Sequence, residues 1–190
     1  MKILILGMGN PILSDDGVGL SIAERLRDSI RGADVAFSSM IGLDLFDLIL
    51  GYDTIFIIDA MTTKGGEVGE LKKIYEHDRC GTLHLFSSHG MNIFELMELG
   101  SRCGFEMPHL KVVYGIEIGS EIAFGESLST ALNEKLPAII EEIAADVISL
   151  LPSLTAGKFA DRPLAPEAKG AFASGDVKLP EKIRTILQIH

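Results

Sequence analysis

Two short, nearly continuous apolar segments place the strongest constraint on the fold of this chain. KILILG (2–7) and TIFIIDA (54–60) have the length of a strand and show no polar alternation. Such runs are typical of strands that helices cover on both faces. Amphipathic segments separate them from further strand-like runs at 34–39 and 111–118. This alternation predicts an α/β fold with a mainly parallel sheet.

The remaining segments complete a single domain. A more polar strand within 65–75 brings the number of predicted strands to five, and the predicted helices start near residue 17 and cover 43–50, 91–104 and 127–151. We therefore predict an α/β domain over residues 1–151. Residues 152–190 hold four of the seven prolines and show no sustained period, which predicts a Pro/Gly/Ala-rich C-terminal extension.

Composition narrows the possible partners and the compartment. The net charge of −10 argues against a nucleic-acid partner, because phosphate binding needs a basic face. No apolar run approaches the ~18 residues of a membrane span, and the N-terminus lacks the pattern of a secretory signal. Two cysteines, Cys80 and Cys103, are too few for a disulfide framework. We expect a cytoplasmic monomer with no membrane association.

The turn after the first strand reads GMGNPILSDDGVG (7–19) and resembles a phosphate-binding turn at first sight. A dinucleotide fingerprint fails because its third glycine position is Ile12 and because the second strand ends in Ser38 and Ser39, without an acidic residue. Two carboxylates at the start of a helix would also repel a phosphate. Asp15 or Ser14 is expected to cap this helix, which leaves Asp16 free to project from the sheet edge.

Polar residues near two other predicted elements join Asp16 at this edge. Asp59 closes the apolar run TIFIID, so we expect its charge at the rim of the sheet. His89 lies in the loop FSSHGMN before a predicted helix. Because ligands of open α/β sheets gather outside the carboxyl ends of the strands, these side chains are expected to lie close together. Two carboxylates and one imidazole would suit nickel, zinc or manganese.

GMGNPILSDDGVG, IFIIDA and SSHGMN, in that order, resemble the hydrogenase maturation endopeptidases, and the resemblance extends over roughly residues 1–150. It implies a phosphorylase/hydrolase-like, three-layer αβα sandwich. It also implies an endopeptidase that removes the C-terminal extension of a nickel-iron hydrogenase large-subunit precursor after nickel insertion. Asp16, Asp59 and His89 would then bind nickel supplied by the substrate, with no tightly bound cofactor and with zinc or cadmium able to replace nickel in vitro.

The resemblance also assigns roles to two loops. Gly7, Gly9, Asn10, Asp15 and Gly17 would shape the first turn. Ser38, Ser39 and Gly42 would occupy the substrate-recognition segment that follows the second strand. Family members carry an acidic residue, two glycines and a hydroxyl residue in that segment, whereas this chain reads SSMIGLD. The acidic residue is missing unless Asp44 replaces it, which bears on precursor choice and on nickel gating.

The available chemistry leaves alternatives open. Amide hydrolysis needs an attacking oxygen and stabilisation of the oxyanion, and the sequence has neither a G-x-S-x-G elbow nor an H-E-x-x-H helix. Asp16 and Asp59 are therefore the candidate catalytic residues, and either could activate water. One alternative is a nickel-sensing chaperone that binds the precursor without cutting it. A nucleotide-binding oxidoreductase is disfavoured by the failed fingerprint.

Overall fold

The chain forms an α/β domain around one five-stranded sheet. The computed structural model describes residues 1–39, 42–75, 93–120 and 123–155. The strands are β1 (Ile3–Met8), β2 (Asp34–Ser38), β3 (Thr54–Met61), β4 (Leu71–Ile74) and β5 (His109–Glu117). The helices are α1 (Val18–Leu26), α2 (Phe46–Ile49), α3 (Ile93–Arg102) and α4 (Thr130–Thr155), and 3-10 turns at Ser14–Gly17 and Gly42–Leu45 precede α1 and α2.

The strand order is β2-β1-β3-β5-β4, and every neighbouring pair is parallel except β4 with β5. The predicted mainly parallel, five-stranded sheet is therefore confirmed. Because β1, β2, β3 and β5 point the same way, their carboxyl ends share one edge of the sheet. Asp16 follows β1, and Asp59 lies two residues before the end of β3.

Helices cover both faces of the sheet. The α1 and α4 helices pack on one face, where Ile22 and Leu136 join a core cluster with Phe56 of β3. The α2 and α3 helices pack on the other face, where Phe46 and Leu96 join a second cluster that includes residues of β1 and β3. This arrangement is the three-layer αβα sandwich that the resemblance implied. Successive residues of β3 alternate between the two clusters, as the period of a strand requires.

The α4 helix extends beyond its predicted end. It continues to Thr155, whereas the sequence predicted its end at Leu151, so the predicted boundary of the extension falls inside the last turn of the helix. The rest of the extension, residues 156–190, lies outside the described residues. No helix in the described ranges is long and apolar enough to cross a membrane.

Two glycines allow the backbone of α1 to lie directly against the sheet. A Cβ atom on Gly19 would lie 2.2 Å from the carbonyl oxygen of Met8 and 2.4 Å from that of Ile58. A Cβ atom on Gly7 would lie 2.4 Å from the carbonyl oxygen of Gly19. Real side chains do not tolerate such distances to backbone atoms. The start of α1 is therefore held against β1 and β3 without any intervening side chain.

Replacing Gly19 by alanine is expected to lower the free energy of unfolding by about 2–3 kcal/mol, because neither carbonyl can move without distorting a central strand. Urea denaturation of both proteins measures the loss. Gly119→Ala is the matched control, since its Cβ would meet only a methyl of Val68 at 4.0 Å. We expect the control to change stability by less than about 0.5 kcal/mol. Equal stabilities of the two variants would contradict the proposed close contact.

Candidate active site at the carboxyl edge of the sheet

Asp16 is held by a tight turn between β1 and α1. The backbone N–H of Asn10 donates to Oδ2 of Asp16 at 2.9 Å, and the N–H of Asp16 donates to the carbonyl of Leu13 at 3.1 Å. Gly9 permits this closure, because its φ is +146° and a Cβ there would lie 2.1 Å from the carbonyl oxygen of Asp16. The carboxylate of Asp16 is therefore fixed by backbone atoms of its own turn.

Asn10 and Gly17, in the same turn, make contacts with neighbouring residues of that turn. The amide oxygen of Asn10 accepts a hydrogen bond from the N–H of Ile12 at 3.2 Å, which closes an Asx-type turn. Gly17 is buried, and a Cβ there would lie 3.4 Å from the carbonyl oxygen of Asn10. The segment can therefore fold back closely on itself before α1 begins.

Asp15 does not cap the helix that follows it, contrary to the prediction from sequence. Neither the 3-10 turn at Ser14–Gly17 nor α1 has a side-chain cap. Instead, both carboxylate oxygens of Asp15 accept hydrogen bonds from Ser129, one from its N–H at 2.6 Å and one from its hydroxyl at 2.7 Å. Ser129 directly precedes α4, so Asp15 joins the first turn to the start of the last helix. Sequence spacing could not reveal a partner 114 residues away.

Asp59 is buried inside β3, whereas the sequence predicted its charge at the rim. The strand continues two residues further, to Met61, and only 8% of Asp59 is exposed. Burial is the largest of the effects that raise the pKa of Asp59 to about 8. The N–H of Ala60, which donates to Oδ1 of Asp59 at 2.8 Å, acts in the opposite direction. A buried carboxyl with so little compensation is typical of functional sites.

Asp16 and Asp59 are close enough for their charges to interact. The negative charge of Asp16 contributes to the raised pKa of Asp59. The pKa of Asp16 is itself raised by burial, although the hydrogen bond from Asn10 counteracts this effect. Each carboxylate is thus partly withdrawn from water, and their charges repel each other. A divalent cation between them would remove the repulsion and favour both ionised forms.

His89 lies outside the described residues, so its place in the candidate site stays a prediction. The helix that follows it is described: α3 begins at Ile93 and packs on the face of the sheet that carries Ile57 and Met61. Asp59 lies between these two residues on the same face, since side chains of a strand alternate with a period of two. The described part of the chain therefore resumes, four residues after His89, on the face of the sheet that carries Asp59.

The predicted recognition segment follows β2. Ser38 is buried at 4% exposure, and its carbonyl accepts a hydrogen bond from the N–H of Gly9 at 3.2 Å. Ser39 is exposed. Gly42 opens the 3-10 turn that contains Asp44. The segment thus begins beside the turn that holds Asp16.

Sequence reasoning missed a third acidic residue, Glu117, at the end of β5. Its side chain is 1% exposed and accepts hydrogen bonds from the N–H of Thr63 at 2.5 Å, the hydroxyl of Thr63 at 2.7 Å and the ammonium of Lys72 at 3.3 Å. Burial alone would raise the pKa of Glu117, but these donors outweigh it and lower the pKa. Glu117 therefore fixes the segment after β3. A lone charge ending an apolar strand was its sequence signal, the same signal that identified Asp59.

Within the described ranges, no group of three or more His, Cys, Asp and Glu side chains is arranged to hold a metal ion. The two carboxylates nevertheless supply oxygen donors that suit a divalent cation. A third protein ligand would have to come from outside these ranges, and the sequence predicts His89.

Fold and site together define an α/β protein with a pair of repelling carboxylates at the carboxyl edge of its sheet. Residues 40–146, more than half of the chain, match the family model described as hydrogenase maturation protease. The chain therefore belongs to the hydrogenase maturation protease family, and it is a peptidase. No curated protein sequence matches it significantly.

Solved structures agree with this assignment. The E. coli hydrogenase maturating endopeptidase HybD superposes with a TM-score of 0.65 at 21% identity, over 78% of this chain and 93% of that one. The [NiFe] hydrogenase maturation protease HybD from Thermococcus kodakarensis gives 0.57 at 26% identity, over 77% and 99%. HycI from Thermococcus kodakarensis KOD1 gives 0.58 at 25% identity, over 76% and 90%. The predicted fold and family are thus confirmed.

The raised pKa of Asp59 predicts a specific pH dependence of stability. Between the usual pKa of 3.8 and about 8, the folded protein keeps the proton that the unfolded chain releases. The metal-free protein should therefore lose stability as pH rises through this window, by up to ~1.4 kcal/mol per pH unit from this group. Asp59→Asn, which retains an acceptor for the N–H of Ala60, should lack this contribution.

Urea unfolding of both proteins at several pH values from 4 to about 9 gives their free energies of unfolding. The difference between the two free energies removes the contributions of groups that titrate alike in both proteins. The stability of the wild type should fall relative to that of Asp59→Asn as pH rises. Parallel stability curves would show that Asp59 ionises normally in the folded protein. Asp28→Asn, at an exposed turn after α1, is the control and should follow the wild-type curve.

Proposed function

We propose that this peptidase removes the C-terminal extension of a nickel-iron hydrogenase large-subunit precursor after nickel insertion. In this proposal Asp16, Asp59 and His89 recognise the nickel that the substrate carries. The observation that supports it most directly is the pair of partly desolvated, mutually repelling carboxylates at the carboxyl edge of the sheet, in a chain of this family.

The proposed chemistry uses the two carboxylates. An ionised carboxylate accepts a proton from the attacking water, and the leaving amine takes up a proton as the C–N bond breaks. Either Asp16 or Asp59 could serve as the base, Asp59 only once the cation of the substrate lowers its pKa enough to ionise it. Nickel belongs to the substrate and would orient the scissile segment between them. This aspartyl-type mechanism requires no tightly bound cofactor, and zinc or cadmium would replace nickel in vitro.

The segment after β2 would take part in selecting the precursor. The segment begins at Ser38, whose carbonyl accepts a hydrogen bond from the N–H of Gly9. It continues through the exposed Ser39 to the 3-10 turn that begins at Gly42. A precursor held at Asp16 could therefore also contact this segment. Unless Asp44 replaces it, the acidic residue of the family is missing from this segment, so precursor choice would differ most here.

The altered segment also favours a second candidate function. A protein that binds the nickel-loaded precursor but does not cut it would act as a nickel-sensing chaperone. The two functions share the same binding site and differ only in whether a C-terminal peptide is released.

The remaining proposals concern partners and location. We propose that the protein acts in the cytoplasm, where its substrate precursor would be matured, and that it acts as a monomer. The net charge of −10 further disfavours binding to nucleic acids.

Incubation with nickel-loaded and nickel-free large-subunit precursors, followed by intact mass measurement, tests the proposed function. The wild type should shorten only the nickel-loaded precursor. Asp16→Asn should reduce the cleavage rate by at least ~1,000-fold, because the substituted amide can neither accept a proton nor bind the cation as a carboxylate does. Binding of the loaded precursor without any loss of mass would instead favour the chaperone.

The controls distinguish loss of the catalytic group from loss of the folded structure. The circular dichroism spectrum of Asp16→Asn should match that of the wild type, since amide and carboxylate have nearly the same shape, and its thermal melt should not fall below that of the wild type, since the charge that repels Asp59 is gone. Asp28→Asn removes an exposed carboxylate at the opposite end of α1 and should leave cleavage unchanged. If the folded Asp16→Asn variant still processes the precursor at the wild-type rate, Asp16 has no catalytic role.

A further inference from the structure

Two large apolar side chains are exposed beside the candidate active site. In the part of the chain that the structure describes, the exposed large hydrophobic residues are Met1, Ile12, Phe124 and Ile148. Phe124 is 87% exposed and Ile12 is 53% exposed. A single exposed apolar residue needs no explanation, but two on hydrogen-bonded segments next to the turn of Asp16 do.

A parallel bridge makes Ile12 and Phe124 neighbours although 112 positions separate them in sequence. The bridge pairs Leu13 with Gly125. Its two hydrogen bonds run from the N–H of Gly125 to the carbonyl of Ile12 at 3.0 Å and from the N–H of Ser14 to the carbonyl of Gly125 at 2.7 Å. Ile12 and Phe124 directly precede the bridged residues on the two segments, so the two exposed side chains lie on adjacent stretches of chain, and we call them the apolar pair.

Further hydrogen bonds immobilise the two loops that carry this pair. The hydroxyl of Ser14 donates to the carbonyl of Ser127 at 2.8 Å. The carboxylate of Asp15 accepts two hydrogen bonds from Ser129. A binding surface that is already ordered loses little conformational entropy when a partner binds.

The apolar pair borders the proposed catalytic residues. Ile12 lies in the same turn as Asp16, whose N–H donates to the carbonyl of Leu13. A polypeptide placed with its scissile bond at Asp16 could therefore extend toward Ile12 and Phe124 on one side. Side chains on one face of an extended peptide recur every ~6.6 Å, so a residue close to the bond would reach the pair.

The area of the pair indicates the kind of partner. A large aromatic side chain buries about 150–250 Å² at most, and isoleucine buries less. The two together offer well under the ~800 Å² per partner of a stable protein dimer. The pair is thus too small to hold a second copy of this chain, and its size suits one or two side chains of a peptide.

We propose that Ile12 and Phe124 form a docking surface for an apolar side chain of the precursor segment next to the scissile bond. This inference rests on the proposed function, since it takes the hydrogenase large-subunit precursor as the bound polypeptide. The two residues bind substrate and take no part in bond cleavage, so their loss should weaken precursor binding more than it slows the chemical step.

The test compares an Ile12→Ser/Phe124→Ser double variant with the wild type and with Ile148→Ser. Ile148 is the matched control, because it is a similarly exposed aliphatic residue, at 49%, on α4. The probes are purified, nickel-loaded large-subunit precursors from the organism that carries this gene. Calorimetric titration, with Asp16→Asn added to every protein so that the precursor is not cut during the measurement, gives Kd, and intact mass measurement without that substitution gives the kinetics of cleavage.

We expect the double variant to raise Kd and KM at least about tenfold, with kcat within about threefold of the wild type. Ile148→Ser should bind as the wild type does. The double variant should keep the wild-type thermal melt, because both side chains are exposed.

Wild-type Kd and KM in the double variant would overturn the docking surface while leaving the proposed function intact. A wild type that binds but does not cut would refute only the proposed cleavage of this precursor, since Kd still tests docking. Failure of the wild type to bind any precursor would overturn both. Concentration-dependent dimerisation that the double variant abolishes, with precursor binding unchanged, would overturn docking in favour of a second copy.

Discussion

The direct backbone contact between α1 and the two central strands is the constraint on which the candidate site depends. Gly19 lies against the carbonyl oxygens of Met8 and Ile58, with no room for a Cβ atom. Ile58 directly precedes Asp59, and Gly19 follows Asp16 by three residues. The contact therefore brings the end of the first turn down onto the third strand. A larger residue at position 19 would separate the two carboxylates.

The site places two acidic groups where water is scarce, and this arrangement costs stability. Burial raises the pKa of both Asp16 and Asp59, and the charge of Asp16 adds to the effect on Asp59. The pKa of Glu117, on the neighbouring strand β5, is lowered instead, because three hydrogen bonds keep its buried carboxylate ionised. The domain thus has the means to satisfy a buried carboxylate and does not use them at Asp59. That difference is what a group that binds a cation or moves a proton would require.

Most of the fold could be predicted from the sequence because each buried parallel strand reads as a short apolar run between amphipathic segments. The strands around Ile5 and Phe56, and the apolar face of α1 with Val18 and Ile22, lie where their spacing predicts. The predictions of local environment were less successful. Asp15 contacts the start of α4 rather than capping its own helix, and Asp59 is buried inside its strand. Both depend on partners distant in sequence.

The sequence by itself determined the class of fold, the family and the two carboxylates of the candidate site. Periodicity and residue type are local properties, so a single chain records them directly. Only the tertiary structure decided that Gly19 brings Asp16 toward Asp59, that Asp15 holds Ser129, and that Ile12 lies beside Phe124. These three outcomes join segments that lie 39 to 114 positions apart. Two of them depend on backbone lying directly against backbone, and the contact of Asp15 depends on hydrogen bonds from Ser129, which is distant in sequence, so no local pattern of side chains encodes them.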